Sequence, residues 1–140
     1  MSVYLDATVL VALFTDDVFT ERADGFLRTH PSKIVVGDFA AAEFASSVAR
    51  KVRMLRLSVG DARNALSTFD SWTSRAVERI EVAPIDIASA TLFLRRLDLT
   101  LRTADAINIA VAQRLGAELA TFDRKMTESA AALGVATAAV

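Results

Sequence analysis

The chain has 140 residues, 53% of them hydrophobic, and a formal charge of −1 from 16 basic and 17 acidic side chains. That balance fits one globular domain spanning 1–140 and excludes a disordered chain or a strongly basic nucleic-acid binder. The absence of cysteine removes disulfides, thiol nucleophiles and cysteine–zinc sites, and a single histidine, His30, rules out a multi-histidine metal site.

Any contact with nucleic acid is therefore expected to be local. The longest early apolar run, Ala7–Phe14, is too short to span a bilayer and follows no basic leader. A soluble, unprocessed, cytoplasmic protein with no membrane partner is expected.

In chain order, Val3–Leu5 reads as a short buried strand and Thr8–Phe14 as a helix, with Asp6 at the hand-over. Asp17 is expected to cap a second helix over Phe19–Arg28, ended by His30-Pro31-Ser32 because proline disfavours helix in the residue before it. Lys33–Gly37 is β-branched and short, a second strand. Asp38 then suits the N-cap of a long helix, Phe39–Leu55.

On that helix Ala41, Phe44, Ala45, Val48, Val52 and Leu55 fall on one apolar face, and Glu43 lies opposite with Phe39, Ser46, Ser47 and Arg50. So little charge around one acid suits a face turned toward a cleft, although spacing alone equally admits an exposed glutamate. The basic cluster Arg50, Lys51, Arg53 and Arg56 is read as complementing the helix dipole, in preference to RNA contact.

Ser58 and Gly60-Asp61 start a helix carrying Phe69 and Trp72, the latter read as core. Ile80–Ile85 is expected as a strand closed by Pro84, and Asp86 as the cap of a helix over Ile87–Arg96, with Leu97 on its apolar side. Thr103 opens a helix that runs to Leu115 and stops at Gly116. Leu119–Phe122 is a strand, Arg124–Leu133 a helix stopped by Gly134, and Val135–Val140 a last edge strand. Strands alternating with helices imply an α/β fold with a parallel sheet between helical layers.

Three acids recur at equivalent joints. Asp6 and Asp123 each follow a strand and precede a helix, and Asp105 opens the helix that feeds the later strand. Capping explains each alone, but in a doubly wound sheet these points share the edge where ligands collect. Neighbouring carboxylates raise one another's pKa, and a divalent cation relieves the conflict. An oxygen-only donor set favours Mg²⁺ or Mn²⁺ over zinc. The hydroxyls of Thr8, Thr103 and Thr121 are placed to orient the carboxylates, with helix capping an equal role for Thr103.

Tyr4-Leu5-Asp6-Ala7-Thr8-Val9-Leu10, the helical Glu43, Leu101-Arg102-Thr103-Ala104-Asp105-Ala106 and Leu119-Ala120-Thr121-Phe122-Asp123-Arg124 together resemble the PIN domain. More narrowly, the chain resembles the VapC-type toxin ribonucleases of bacterial and archaeal toxin–antitoxin pairs. The resemblance implies a three-layer α/β/α PIN-like fold and a Mg²⁺- or Mn²⁺-dependent endoribonuclease. By motif position, Asp6, Glu43, Asp105 and Asp123 correspond to the family's acidic residues, and Thr121 to its site hydroxyl. It also implies an RNA substrate, a homodimer and silencing by a cognate antitoxin. Arg102 and Arg124 are candidate phosphate contacts.

Two residues depart from the family's usual pattern: Thr8, where many relatives carry Ser or Asn, and Asn108, where histidine is frequent. Neither removes a carboxylate. Asp38 competes with Glu43 for the fourth acidic position, and capping explains it better. A haloacid-dehalogenase-type phosphatase needs a second aspartate where Thr8 stands, and a receiver domain needs a lysine that Lys125 does not supply. The remaining alternative is a catalytically silent PIN-like binding or regulatory module.

Overall fold

The computed structural model describes residues 1–30 and 32–140. Its elements are β1 (Ser2–Leu5), α1 (Ala7–Phe14), α2 (Thr20–Thr29), β2 (Lys33–Gly37), α3 (Asp38–Arg53) and α4 (Val59–Ala76). They continue through β3 (Glu78–Ile80), α5 (Pro84–Leu94), α6 (Thr103–Leu115), β4 (Glu118–Ala120) and α7 (Arg124–Ala132).

The four strands form one parallel sheet in the order β3-β2-β1-β4. The chain steps outward from β1 to β2 and β3, then returns past β1 to add β4 on its far side. Right-handed crossovers therefore place the intervening helices on opposite faces before and after the reversal. The contacts agree: α1 packs with α2, α3 and α4, whereas α5 packs on α6 and α6 on β4. This is the expected three-layer arrangement, and its topological switch point lies between the carboxyl ends of β1 and β4.

β1 is buried on both faces at Val3, Tyr4 and Leu5, as a central parallel strand must be. α6 is enclosed too, with every residue from Ala106 to Ala112 buried. Phe14, Phe44, Phe69 and Trp72 form an aromatic cluster between α1, α3 and α4, with ring centroids 4.8–5.9 Å apart among the contacting pairs. Trp72 is thus core, as its spacing indicated.

Several expected boundaries move, each for a local reason. Pro84 does not close a strand: β3 ends at Ile80, and Pro84 begins α5, where a missing N–H needs no partner. Asp86 lies in the first turn of that helix, and its Oδ2 accepts the Ala83 N–H at 2.7 Å. α5 ends at Leu94, so Leu97 falls in a turn with φ 67° and is 90% exposed, not on an apolar face. Leu55 is likewise past its helix, with φ 58° and 93% exposure. On α3 the buried face is Ala40, Phe44 and Val48, and Ala45 is exposed.

Asp17 does not cap α2 directly; its Oδ2 accepts the Phe19 N–H and folds the turn before the helix. The stop assigned to Pro31 lies outside the described residues. Asp38 is the first residue of α3, and its Oδ1 accepts the Val82 N–H at 3.0 Å, tying the β3–α5 connection to α3. The last edge strand reduces to one parallel bridge, Leu119 with Thr137.

Asp86 is 1% exposed and fully engaged: Arg114 donates to it through Nε at 2.8 Å and a second guanidinium nitrogen at 2.9 Å. Burial alone would raise its pKa, but these bonds outweigh burial and hold it below the ordinary carboxylate value. The pair fastens α5 to α6. Replacing Arg114 with Met leaves a buried carboxylate without its counter-charge, at a cost of about 3 kcal/mol. Urea unfolding of Arg114→Met at neutral pH is expected to show that loss.

Candidate active site

Asp6 stands where β1 ends and caps α1, and it is 3% exposed. Its Oδ1 accepts the Thr8 N–H at 3.0 Å, the Val9 N–H at 3.2 Å and the Thr8 hydroxyl at 2.6 Å. Its Oδ2 accepts the Thr121 hydroxyl at 2.5 Å. Thr121 follows β4, in register beside β1, and the Asp6 N–H donates to the Ala120 carbonyl at 3.1 Å. Thr8 is bound in turn by the Phe122 N–H, at 2.9 Å. Two strand ends that are distant in the chain are thus pinned through one carboxylate.

Glu43, Asp105 and Asp123 line the same open cavity as Asp6, of about 700 Å³. The α3 face carrying Glu43 is therefore turned to a cleft, and Asp38 is excluded from it by its bond to Val82. Asp105 sits in the first turn of α6, where Oδ2 accepts the Arg102 N–H at 3.1 Å and lies 3.5 Å from Arg102 Nε. Asp123 caps α7 by accepting the Lys125 and Met126 N–H groups, at 2.9 and 3.2 Å.

The orientation of Glu43 comes from residues that carry no charge. Tyr4 on β1 donates its hydroxyl to Asn108 Oδ1 at 2.6 Å, which turns the Asn108 amide nitrogen toward Glu43 Oε1, also 2.6 Å away. That nitrogen also donates to the Ala104 carbonyl at 3.0 Å. Asn108 is 2% exposed, so the departure noted at this position builds a buried relay. Gly37 makes room for it: a Cβ there would lie 2.8 Å from the Tyr4 hydroxyl oxygen.

Other candidates separate. Thr8 and Thr121 orient Asp6, whereas Thr103 is exposed, begins α6 as its first helical residue and bonds to none of the four acids. The cap position belongs to Arg102, which lines the acidic cavity. Arg124 is exposed and lines a smaller neighbouring depression with Phe19, Arg22 and Phe122.

Electrostatics follow burial first. Burial pushes the Asp6 carboxyl from 3.8 up to about 6, against the lowering effect of its hydrogen bonds to Thr121, Thr8 and Val9. Glu43 is raised by burial too, then lowered by Asn108 and raised by the charges of Asp6 and Asp105. Mutual repulsion, the effect expected from the sequence, thus ranks behind desolvation.

The acids do not form a ready-made cage. Among the described residues no three acidic or histidine side chains approach closely enough to hold an ion by themselves. The cause is visible: Asp105 is drawn to Arg102 and Asp123 to the start of α7, each acid having a partner of its own. This donor set suits a small hard cation that keeps several waters and takes one or two carboxylates, and it does not suit a closed site.

Two outcomes test this geometry. Tyr4→Phe strands a buried Asn108 oxygen and is expected to lower stability by about 1–3 kcal/mol in urea unfolding. A loss within error would mean that Asn108 has another donor. For Asp6, the folded chain holds its proton to higher pH than the unfolded chain, so ionisation opposes folding. That loss grows as pH rises from 3.8 to about 6 and is complete above. In EDTA, Asp6→Asn should therefore be more stable than wild type at pH 7, by about 1–3 kcal/mol, with the difference vanishing below the lower value.

A PIN domain family profile matches residues 3–132. The chain is 32% identical over 139 residues to Ribonuclease VapC46 of Mycobacterium tuberculosis, covering 96% of this chain and 95% of that protein. Among solved structures, M. tuberculosis VapC20, described as a Sarcin-Ricin loop cleaving toxin, superposes with a TM-score of 0.77 at 19% identity, covering 99% of both chains. VapBC2 from Rickettsia felis, bound to a DNA fragment from its promoter, gives 0.70 at 14% identity over 99% of this chain and 98% of that one. These two share the fold. With the profile spanning nearly the whole chain and VapC46 above 30% identity, the chain belongs to the PIN domain family, among its VapC-type members.

Proposed function

We propose that this chain is a Mg²⁺- or Mn²⁺-dependent endoribonuclease acting as the toxin of a type II toxin–antitoxin pair in the cytoplasm. The observation that carries the reading is the buried Asp6, bound by Thr8 and Thr121 at the sheet's switch point and opening onto a cavity shared with Glu43, Asp105 and Asp123. A silent binding module has no use for a carboxylate whose burial opposes folding.

Asp6, with Asp105, Asp123 or Glu43, would hold the cation. When bound, the ion supplies charge neutralisation at the phosphodiester and a lowered water pKa for in-line attack. The chain's own groups do the positioning. Thr8 and Thr121 hold Asp6 in one rotamer, and the Tyr4–Asn108 relay holds Glu43 against the cavity wall. Arg102, beside Asp105 on the cavity wall, would meet a substrate phosphate. A cognate antitoxin and a homodimeric assembly complete the proposed system.

The test is cleavage of RNA in Mg²⁺. Asp6→Asn is expected to reduce cleavage to background while the variant remains folded, and EDTA should do the same to wild type. Thr121→Val removes the hydroxyl that donates to Asp6 and accepts the Asp123 N–H, but no charge, and should cost about 10–100-fold. An Asp6→Asn variant that cuts as fast as wild type would refute the site.

A further inference from the structure

The cavity that holds the acids continues along α3. Glu43, Ser46, Ser47 and Arg50 recur at helical spacing on its wall, and Lys51 and Arg56 extend that wall beyond them. From Glu43 to Arg50 the helix rises about 10 Å, the reach of a short run of nucleotides. Among the described residues, Arg50, Lys51 and Arg56 have no acidic partner within 4.0 Å, as is true of most basic residues here, Arg53 included; what sets the three apart is their place on the cavity wall, where Arg102 is paired with Asp105.

Complementing the helix dipole accounts for basic residues in the last turn, which holds Arg50, Lys51 and Arg53. It does not account for Arg56, which lies past the helix end. Nor does it explain why Arg53 is off the cavity wall while Arg50, Lys51 and Arg56 are on it. One concave surface thus passes from an acidic end to an unpaired cationic end.

We infer that Arg50, Lys51 and Arg56 form a phosphate track that holds the single-stranded RNA backbone flanking the cleavage point, with Ser46 and Ser47 as neutral hydrogen-bonding groups between track and acids. The inference rests on the ribonuclease reading and adds which side of the site the RNA occupies. Contacts of this kind are uniform in ground and transition states, so they lower KM without changing kcat.

The experiment is binding of a labelled oligouridylate to full-length protein in the Asp6→Asn background, by fluorescence anisotropy across a salt series. Cleavage by the same variants is followed with Asp6 intact. The triple variant Arg50→Ala/Lys51→Ala/Arg56→Ala is expected to bind about 10-fold more weakly or worse, and its log K against log salt slope should be shallower by about 2. Its KM should rise with kcat unchanged, and circular dichroism should remain native. Arg53→Ala, with a similar place on the dipole but off the track, should change neither slope nor KM. Equal effects from Arg53→Ala and from each single track variant would overturn the inference in favour of bulk charge. So would an unchanged triple variant, leaving the nuclease reading intact provided wild type still cuts. Competition by an oligoglutamate of matching charge as strong as that by oligouridylate would overturn it in favour of an acidic protein segment. Wild type that neither cuts nor binds RNA would overturn the ribonuclease reading with it.

Discussion

The structure depends on keeping a carboxylate out of water at the point where β1 gives way to α1. Burying an ionisable group is unfavourable unless its oxygens are met by donors. Here the donors come from both ends of the chain: Thr8 and the first turn of α1 on one side, Thr121 beyond β4 on the other. Their meeting requires the parallel register that sets Leu5 beside Ala120. Fold and site are one arrangement, because the bonds that satisfy Asp6 also lock the switch point of the sheet.

The opposite wall is organised differently. Glu43 projects from a helix that carries no motif, and its direction is set by a buried tyrosine and a buried amide. Tyr4 is held neutral, since burial and the nearby carboxylates push its phenol far above the ordinary value. A neutral phenol is an obligate donor toward Asn108 Oδ1, which leaves the amide nitrogen only Glu43 and Ala104 to serve. Gly37 belongs to this relay although it contributes no atom to the site.

Much of this was legible in the residues. The pattern of apolar strand, acid and helix marked Asp6 and Asp123, and the same pattern explains why both serve as helix caps. The parallel sheet followed from alternation, and the core role of Trp72 from helical spacing. What escaped notice has a physical cause in each case. Tyr4 reads as core because its partner lies 104 residues away. Pro84 is an equally good strand end and helix start until the neighbouring element is known. Asp38 looked like a cap because its real partner, the Val82 amide, is in a loop. Thr103 shares its motif with Asp105 but is the exposed first residue of the helix. The four acids matched one motif set, yet their individual partners keep them from the tight cluster that charge crowding alone had indicated.

The strand order has a temporal meaning as well. β1 is synthesised before both of its neighbours, β2 and β4, and the hydroxyl that completes Asp6 is 115 residues downstream. A nascent chain leaving the ribosome therefore carries the two halves of its candidate site unjoined until Thr121 has been made. For a ribonuclease made beside the richest store of RNA in the cell, the topology delays assembly of the Asp6 pocket until β4 and Thr121 have followed β1 out of the ribosome.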